Sequence, residues 1–342
     1  MGKNLMIIIL VLLVIFNVST FSQDNIKIFP REDSIQSSEF IGISEVTFKQ
    51  AWNISLLSDS TIVVFDRGTG TIFRFDRNGK ELNRWKPMDA LKKPVWLFKY
   101  LRTDSKDNIY ITATQISSTL VFNKDGKLKR TIKANLFGEN STFHRDGYHY
   151  SISKYKTHAK DYFTLSVLDG FGNSTGEYFI KLNDPPDLLN LLYLETVIIN
   201  DSFYLVSSVE SWMFEFDLNH RICKKIQIKD IRFDAVSKKN AANYGKKRAR
   251  YRPIFGAANM WGDTIFLSVH IGKPGAEFIE IDTEGNVVNS WYFSDEDEMT
   301  DLANTKFRIF RDTERQTLNV AYISSMKSGK LRIAELKTKS KQ

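Results

Sequence analysis

The chain has 342 residues, of which 42% are hydrophobic and 26% charged, a balance that excludes a disordered or low-complexity protein. Its single cysteine, Cys223, excludes an internal disulfide and a thiolate metal site built by this chain alone. The net charge of +8 comes largely from lysines spread over nearly every predicted turn, a pattern that serves solubility, but one dense basic run stands apart.

Residues 1–22 read as an export signal. Lys3 supplies the positive start, and Leu5 to Phe16 is an apolar run shorter than the roughly 20 residues of a membrane-spanning helix. Thr20 and Ser22 are small residues at cleavage-site spacing, which makes Gln23 the first residue of the mature chain. An uncleaved anchor is the alternative. No cysteine follows the apolar run, so a lipoprotein is not expected. Export without disulfides suits a bacterial periplasm or the secreted space.

Beyond the signal the chain repeats one unit. The first unit runs from Trp52 to Trp85 and contains Thr61-Ile62-Val63-Val64-Phe65-Asp66, then Thr71-Ile72-Phe73-Arg74-Phe75-Asp76-Arg77-Asn78-Gly79. The second (Leu101 to Ile132) repeats it around Val121-Phe122-Asn123-Lys124-Asp125-Gly126. The third spans Phe143 to Leu182, the fourth Glu195 to Ile228, the fifth Pro253 to Phe293 and the sixth Lys306 to Leu336. Asp76, Asn123, Asp169 and Asp217 follow one another at steps of about 46–48 residues, the length of a four-stranded antiparallel blade. Near-continuous apolar strands fit sheets covered on both faces, which a ring of blades provides. The Asn78-Gly79 and Asp125-Gly126 pairs supply the positive φ angles of tight hairpins. The sixth unit has only three convincing strands, so a strand from the start of the mature chain is expected to complete it. Phe40 to Phe48 is the candidate, with Asn25 to Phe29 as the alternative. The expectation is one domain over 23–342, an all-β six-bladed propeller closed by an N-terminal strand.

At Val63-Val64-Phe65-Asp66-Arg67-Gly68 and Ile72-Phe73-Arg74-Phe75-Asp76-Arg77-Asn78-Gly79 the chain resembles the six-bladed propeller superfamily of NHL-repeat and TolB-like proteins. It is most similar there to exported six-bladed propellers of Bacteroidetes, most of which have no assigned function. The resemblance covers the mature chain at the level of fold and rests on hairpin chemistry. It implies a scaffold whose site lies in loops or at the channel mouth. The chain departs from its relatives in lacking a Gly-Pro-Gly-Glu loop. It also carries Ala113 or Thr114, Ser208 and Val269 where the first unit has Asp66, so no polar ring repeats.

Few residues carry recognisable chemistry. His144, His149, His158, His220 and His270 show no zinc-ligand spacing. No phosphate loop, dinucleotide fingerprint or nucleophile elbow is present, and Arg67-Gly68-Thr69-Gly70-Thr71 reads as a hairpin loop. No cofactor is evident. The resemblance implies calcium as a possible channel ion, since some six-bladed propellers hold it there, and Asp66, Glu195 and Glu210 are the scattered carboxylates available to it. Asp76, Asp169, Asp217 and Asp282 read as turn residues that bond local backbone.

The insertion from Lys229 to Arg252 reads as a basic loop between the fourth and fifth units. It holds Lys246, Lys247, Arg248, Arg250 and Arg252 with Tyr251 among them, a set suited to an acidic glycan, a phosphate group or an anionic protein. Ser294-Asp295-Glu296-Asp297-Glu298 is its acidic counterpart and reads as the start of a short helix. The expected function is an exported, monomeric scaffold that binds a protein or glycan and no nucleic acid. The alternative is a metal-dependent hydrolase or lyase, using calcium or zinc, at the channel mouth.

Overall fold

The computed structural model describes residues 35–36, 40–91, 95, 97–133, 141–143, 148–154, 162–181, 194–217, 223–243, 252–270, 276–293, 307–312, 314–324 and 329–337. The signal segment, the alternative closing strand at 25–29, His144, His158, His220 and the acidic run at 294–298 lie outside them.

The described chain is an all-β propeller of four-stranded antiparallel blades. Two strands precede the first unit, β1 (Ile35–Gln36) and β2 (Phe40–Thr47). The first sheet is β3 (Ala51–Leu56), β4 (Ile62–Asp66), β5 (Thr71–Phe75) and β6 (Glu81–Trp85). The second is β7 (Phe98–Thr103), β8 (Ile109–Ala113), β9 (Ser118–Phe122) and β10 (Leu128–Ile132). The third is β11 (Ser141–Phe143), β12 (His149–Lys154), β13 (Tyr162–Leu168) and β14 (Ser174–Lys181). The fourth is β15 (Leu194–Ile199), β16 (Ser202–Ser207), β17 (Trp212–Asp217) and β18 (Cys223–Gln227). After a helix, α1 (Ile231–Ala242), the fifth follows as β19 (Phe255–Trp261), β20 (Thr264–Val269), β21 (Ala276–Ile281) and β22 (Val287–Phe293). The sixth contains β23 (Phe307–Asp312), β24 (Thr317–Ile323) and β25 (Lys330–Glu335).

Each sheet is an up-and-down meander whose first strand is its inner edge. The first strands lie beside one another, β3 against β7, β11 against β15, β15 against β19, β19 against β23, and β23 back against β3. The N-terminal strand does close the ring, since β2 pairs antiparallel with β25 and completes the sheet β2-β25-β24-β23. Strand β1 adds a parallel fifth strand to β22, a feature the unit pattern does not announce.

The core lies between blades, and strand alternation decides which neighbour each residue meets. Val63, Phe65 and Ile72 pack with Leu101, Ile111 and Phe122 of the second sheet. Their alternates Ile62, Val64, Phe73 and Phe75 pack with Ala321, Ile323 and Ile333 of the sixth. Each such apolar side chain, fully buried, stabilises the fold by roughly 1.5–3 kcal/mol. Central strands covered on both faces therefore read as unbroken apolar runs.

The 3→4 hairpins follow one turn chemistry. Asp76 accepts bonds from the N–H groups of Asn78 and Lys80, at 2.8 and 2.9 Å. Asn123, Asp169 and Asp282 do the same two and four residues on. Gly79, Gly126, Gly172 and Gly285 take the positive φ angles, between 81° and 87°. Three of these glycines also touch the preceding blade's outer strand. A Cβ on Gly126 would sit 2.7 Å from the Trp85 indole, and one on Gly285 would sit 2.1 Å from the Gln227 carbonyl oxygen. One on Gly79 would press on the Ile43–Ser44 backbone of the closing strand, at 3.2 Å. The repeated glycine thus sets both the turn and the spacing between blades.

Candidate functional site

An up-and-down blade sends its 1→2 and 3→4 connections to one face of the ring and its 2→3 and blade-to-blade connections to the other. The first face is made of short, self-bonded hairpins rich in aspartate, including Asp59, Asp104, Asp107, Asp169, Asp263 and Asp282. The second carries the long connections and is called here the loop face. Loops on a rigid scaffold are where binding groups concentrate.

Among the described residues, the largest structured feature of the loop face is α1, within the insertion that the sequence reads as a loop. That reading is corrected: half of the insertion is a docked helix. Asp230 caps it by accepting from the Arg232 N–H at 2.9 Å. Phe233 and Val236 bury into the core between the fourth and fifth sheets, with Phe233 edge-on to Phe255 at 4.8 Å. Arg232 is buried and bridges Asp230 (2.7 Å) and Glu277 of β21 (2.9 Å). Burial pushes the Glu277 carboxyl above its usual range, although Arg232 and the Ser290 hydroxyl oppose the rise. Breaking such a pair by removing one partner leaves a buried charge unpaired. The cluster pins the helix start to the fifth sheet. Asp234, in the helix's first turn, accepts from the Ser211 hydroxyl at 2.7 Å and ties α1 to the 2→3 loop of the fourth sheet.

The far end is held by Asn240. Its Nδ2 donates to the carbonyl oxygens of Val209 (2.6 Å) and Arg252 (2.8 Å), and its Oδ1 accepts from the Arg252 N–H (2.9 Å). Asn240 is 2% exposed, so these are buried bonds. They fix Arg252 beside the helix end and thereby close the base of the basic segment. Of the residues singled out there, Lys246, Lys247, Arg248, Arg250 and Tyr251 lie outside the described residues, while Arg252 is exposed.

Asp66, the first of the carboxylates considered for a channel ion, has other work. Asp66 is 1% exposed and accepts four bonds, from the N–H groups of Lys49, Gln50 and Gly68 and from the Thr69 hydroxyl. It welds the loop after β4 to the link between the closing strand and β3. That loop, Arg67 to Gly70, is the expected hairpin connection. Glu210 is buried in the 2→3 loop of the fourth sheet, and Glu195 lies on β15. Among the described residues, no three His, Cys, Asp or Glu side chains gather closely enough to hold a metal ion. His149 opens β12 opposite Phe143, as a hairpin between them requires, and His270 follows β20. Gly256 makes room for the His270 ring, whose Nε2 lies 2.1 Å from where a Cβ would be.

The sequence singles out none of four loop-face residues for binding. Trp52 opens β3, and the Arg67 guanidinium lies 4.8 Å from its ring centre. Tyr100 lies near the start of β7, with the Lys99 ammonium 6.0 Å from its ring centre. All four are partly exposed. The signal available in sequence was a pair of aromatics about one unit apart at the starts of β3 and β7, recognisable only once those inner strands are in register.

No family model matches the chain, and no curated protein matches it. Solved structures do. A member of the DUF4221 family from Bacteroides vulgatus superposes with a TM-score of 0.58 at 12% identity, over 89% of this chain and 97% of that one. A candidate exported protein of Bacteroides fragilis gives 0.52 at 9% identity, over 88% and 95%. The virginiamycin B lyase of Staphylococcus aureus gives 0.50 at 9%, over 88% and 99%. What they share with this chain is the β-propeller fold. At such identities the likeness reaches no further, and the NHL or TolB kinship suggested by the first hairpins rests on those hairpins alone. Among the described residues no helix is long and apolar enough to cross a membrane.

Proposed function

We propose that this protein is an exported propeller that binds an anionic glycan or protein partner through its loop face. The observation that carries the reading is the Asn240 clamp, which anchors the start and end of the basic segment to a helix bonded into two blades. Preorganising the base of a charged loop lowers the ordering cost of binding. The short hairpins concentrate aspartate on the opposite face, so basic side chains on the loop face meet an anion with little like-signed competition. The six sheets support a six-bladed ring in one domain over 23–342. The apolar start of the chain, and the likeness to a candidate exported protein, support export to the periplasm or beyond.

The test is retention of the purified mature protein on a polyanionic polysaccharide matrix. Replacing Lys246, Lys247, Arg248, Arg250 and Arg252 together by Ser is expected to lower the salt needed for elution. Unchanged elution removes the segment from the reading. The second reading, a calcium- or zinc-dependent hydrolase or lyase, draws on the lyase among the structural neighbours. It predicts a melting temperature that rises with micromolar metal and falls again with chelator.

A further inference from the structure

The loop-face end of the inner strands carries a second arrangement, away from the basic segment. Strands β3 and β7 are fixed side by side by the Asn53 side chain, which accepts from the Leu101 N–H at 3.2 Å, and by a Ser55–Thr103 hydroxyl pair at 2.7 Å. In this register Trp52 and Tyr100 occupy the same level on neighbouring inner strands. Each sits where its strand departs from regular pairing: β3 shifts register between Ala51 and Asn53, and β7 between Lys99 and Arg102. Bulges re-aim side chains and recur beside binding sites. Tyr100 also has φ 55°, a conformation that a bulky non-glycine residue adopts only under strain. Trp52 packs partly into the seam between the first and second sheets, and Tyr100 into the next seam, leaving part of each ring open.

We infer that this rim of the channel is a subsite for an acidic sugar. A pyranose ring has an apolar C–H face that an indole or phenol ring can cover, and a uronate or sulfate group at its edge that a cation can hold. Trp52 and Tyr100 provide the rings, and the Arg67 and Lys99 cations that rest over them turn to the acid group as the sugar takes their place. The arrangement repeats one blade on, so it fits two successive residues of an acidic oligosaccharide better than an isolated anion. The inference rests on the anionic-ligand reading above and adds the chemical class and place of the ligand.

Titration calorimetry of the mature protein with a galacturonic acid oligomer, and with the uncharged galactose oligomer, tests it. The acidic oligomer is expected to bind, with the uncharged one at least about tenfold weaker. Arg67→Gln and Lys99→Gln are each expected to weaken the acidic oligomer by about tenfold, the worth of one charge-assisted bond. Trp52→Phe keeps an apolar ring in the seam, so it reports the platform if the fold is otherwise sensitive. It is expected to weaken both oligomers, while each variant's melting curve stays close to that of the wild type. If Arg67→Gln, Lys99→Gln and Trp52→Phe bind like wild type while the five-Ser variant does not bind, the rim subsite is wrong and the basic segment stands. If wild-type protein is held by a polyanion matrix yet ignores the uronate oligomer, the sugar assignment is overturned. Loss in the rim variants alone supports the rim and counts against the segment.

Discussion

Replacing Gly285 by Ala tests whether the turn glycines space the blades. Gly285 has φ +82°, and an added Cβ would lie 2.1 Å from the Gln227 carbonyl oxygen and 3.1 Å from the Ile226 Cγ2. The left-handed conformation costs an L-residue about 1–2 kcal/mol. Relieving the clash requires the turn and β18 to part by about 1 Å, an overpacking cost of about 1–3 kcal/mol. Gly70 is the control, with φ +66° and nothing within 4 Å of its added Cβ, so Gly70→Ala bears the conformational cost alone. At about 2 °C per kcal/mol for a chain this long, Gly70→Ala should lower the melting temperature by about 2–4 °C and Gly285→Ala by about 4–10 °C. Scanning calorimetry at matched heating rates measures both. Equal losses would refute the spacing role and leave only the turn.

Asn240→Ala removes three buried bonds and unties Arg252, so tryptic cleavage at Lys246, Lys247, Arg248 or Arg250 should accelerate while the ring stays resistant. Limited proteolysis followed by mass spectrometry reads the sites. Phe233→Ala empties a fully buried position under α1 and should cost about 3–5 kcal/mol, visible as a lower melting temperature. Asp312→Asn probes the ring seam, where Arg77 reaches across from the first sheet at 3.0 Å. Burial raises the Asp312 carboxyl, but N–H bonds from Arg315 and Glu314 and the Arg77 charge outweigh it and hold the group below the usual carboxylate range. A depressed carboxyl stabilises the fold above its unfolded pKa of about 3.9 and loses that contribution as pH falls through its folded value. The melting-temperature gap between wild type and Asp312→Asn should therefore be full at pH 6 and shrink below about pH 4. Removing β2 bares the β25 edge and should promote aggregation, as light scattering would show.

The unit boundaries were legible because they are written in local chemistry. Asp76, Asn123, Asp169 and Asp282 cap their own turns, the adjoining glycines take positive φ, and the apolar runs between them need no partner to be recognised. The closing strand at Phe40 was legible as a deficit, since the sixth unit lacked a strand. The second task of Gly126 and Gly285 was not legible, because contact with Trp85 and Gln227 exists only once blades pack. Helix α1 escaped notice because only Arg232, Phe233, Val236 and Asn240 of its twelve residues are buried, too few for an apolar stripe. In sequence Asp66 looks like an available carboxylate, because its four donors come from loops that sequence alone does not bring together. The pairing of Trp52 with Arg67 and of Tyr100 with Lys99 depends on bulges and on inner-strand register, both tertiary facts.

Anion binding on the loop face is the proposal most open to direct test. Its most direct measurement is the salt dependence of affinity for a polyuronate chain, taken for the wild type, for the five-Ser variant, and for a variant with the exposed turn lysines Lys80, Lys106 and Lys127 of the opposite face replaced by Ser. Anion binding on the loop face gives a shallower salt slope and weaker binding for the five-Ser variant, with the opposite-face variant binding like wild type. Equal weakening in both variants, or weakening in the opposite-face variant alone, would contradict it.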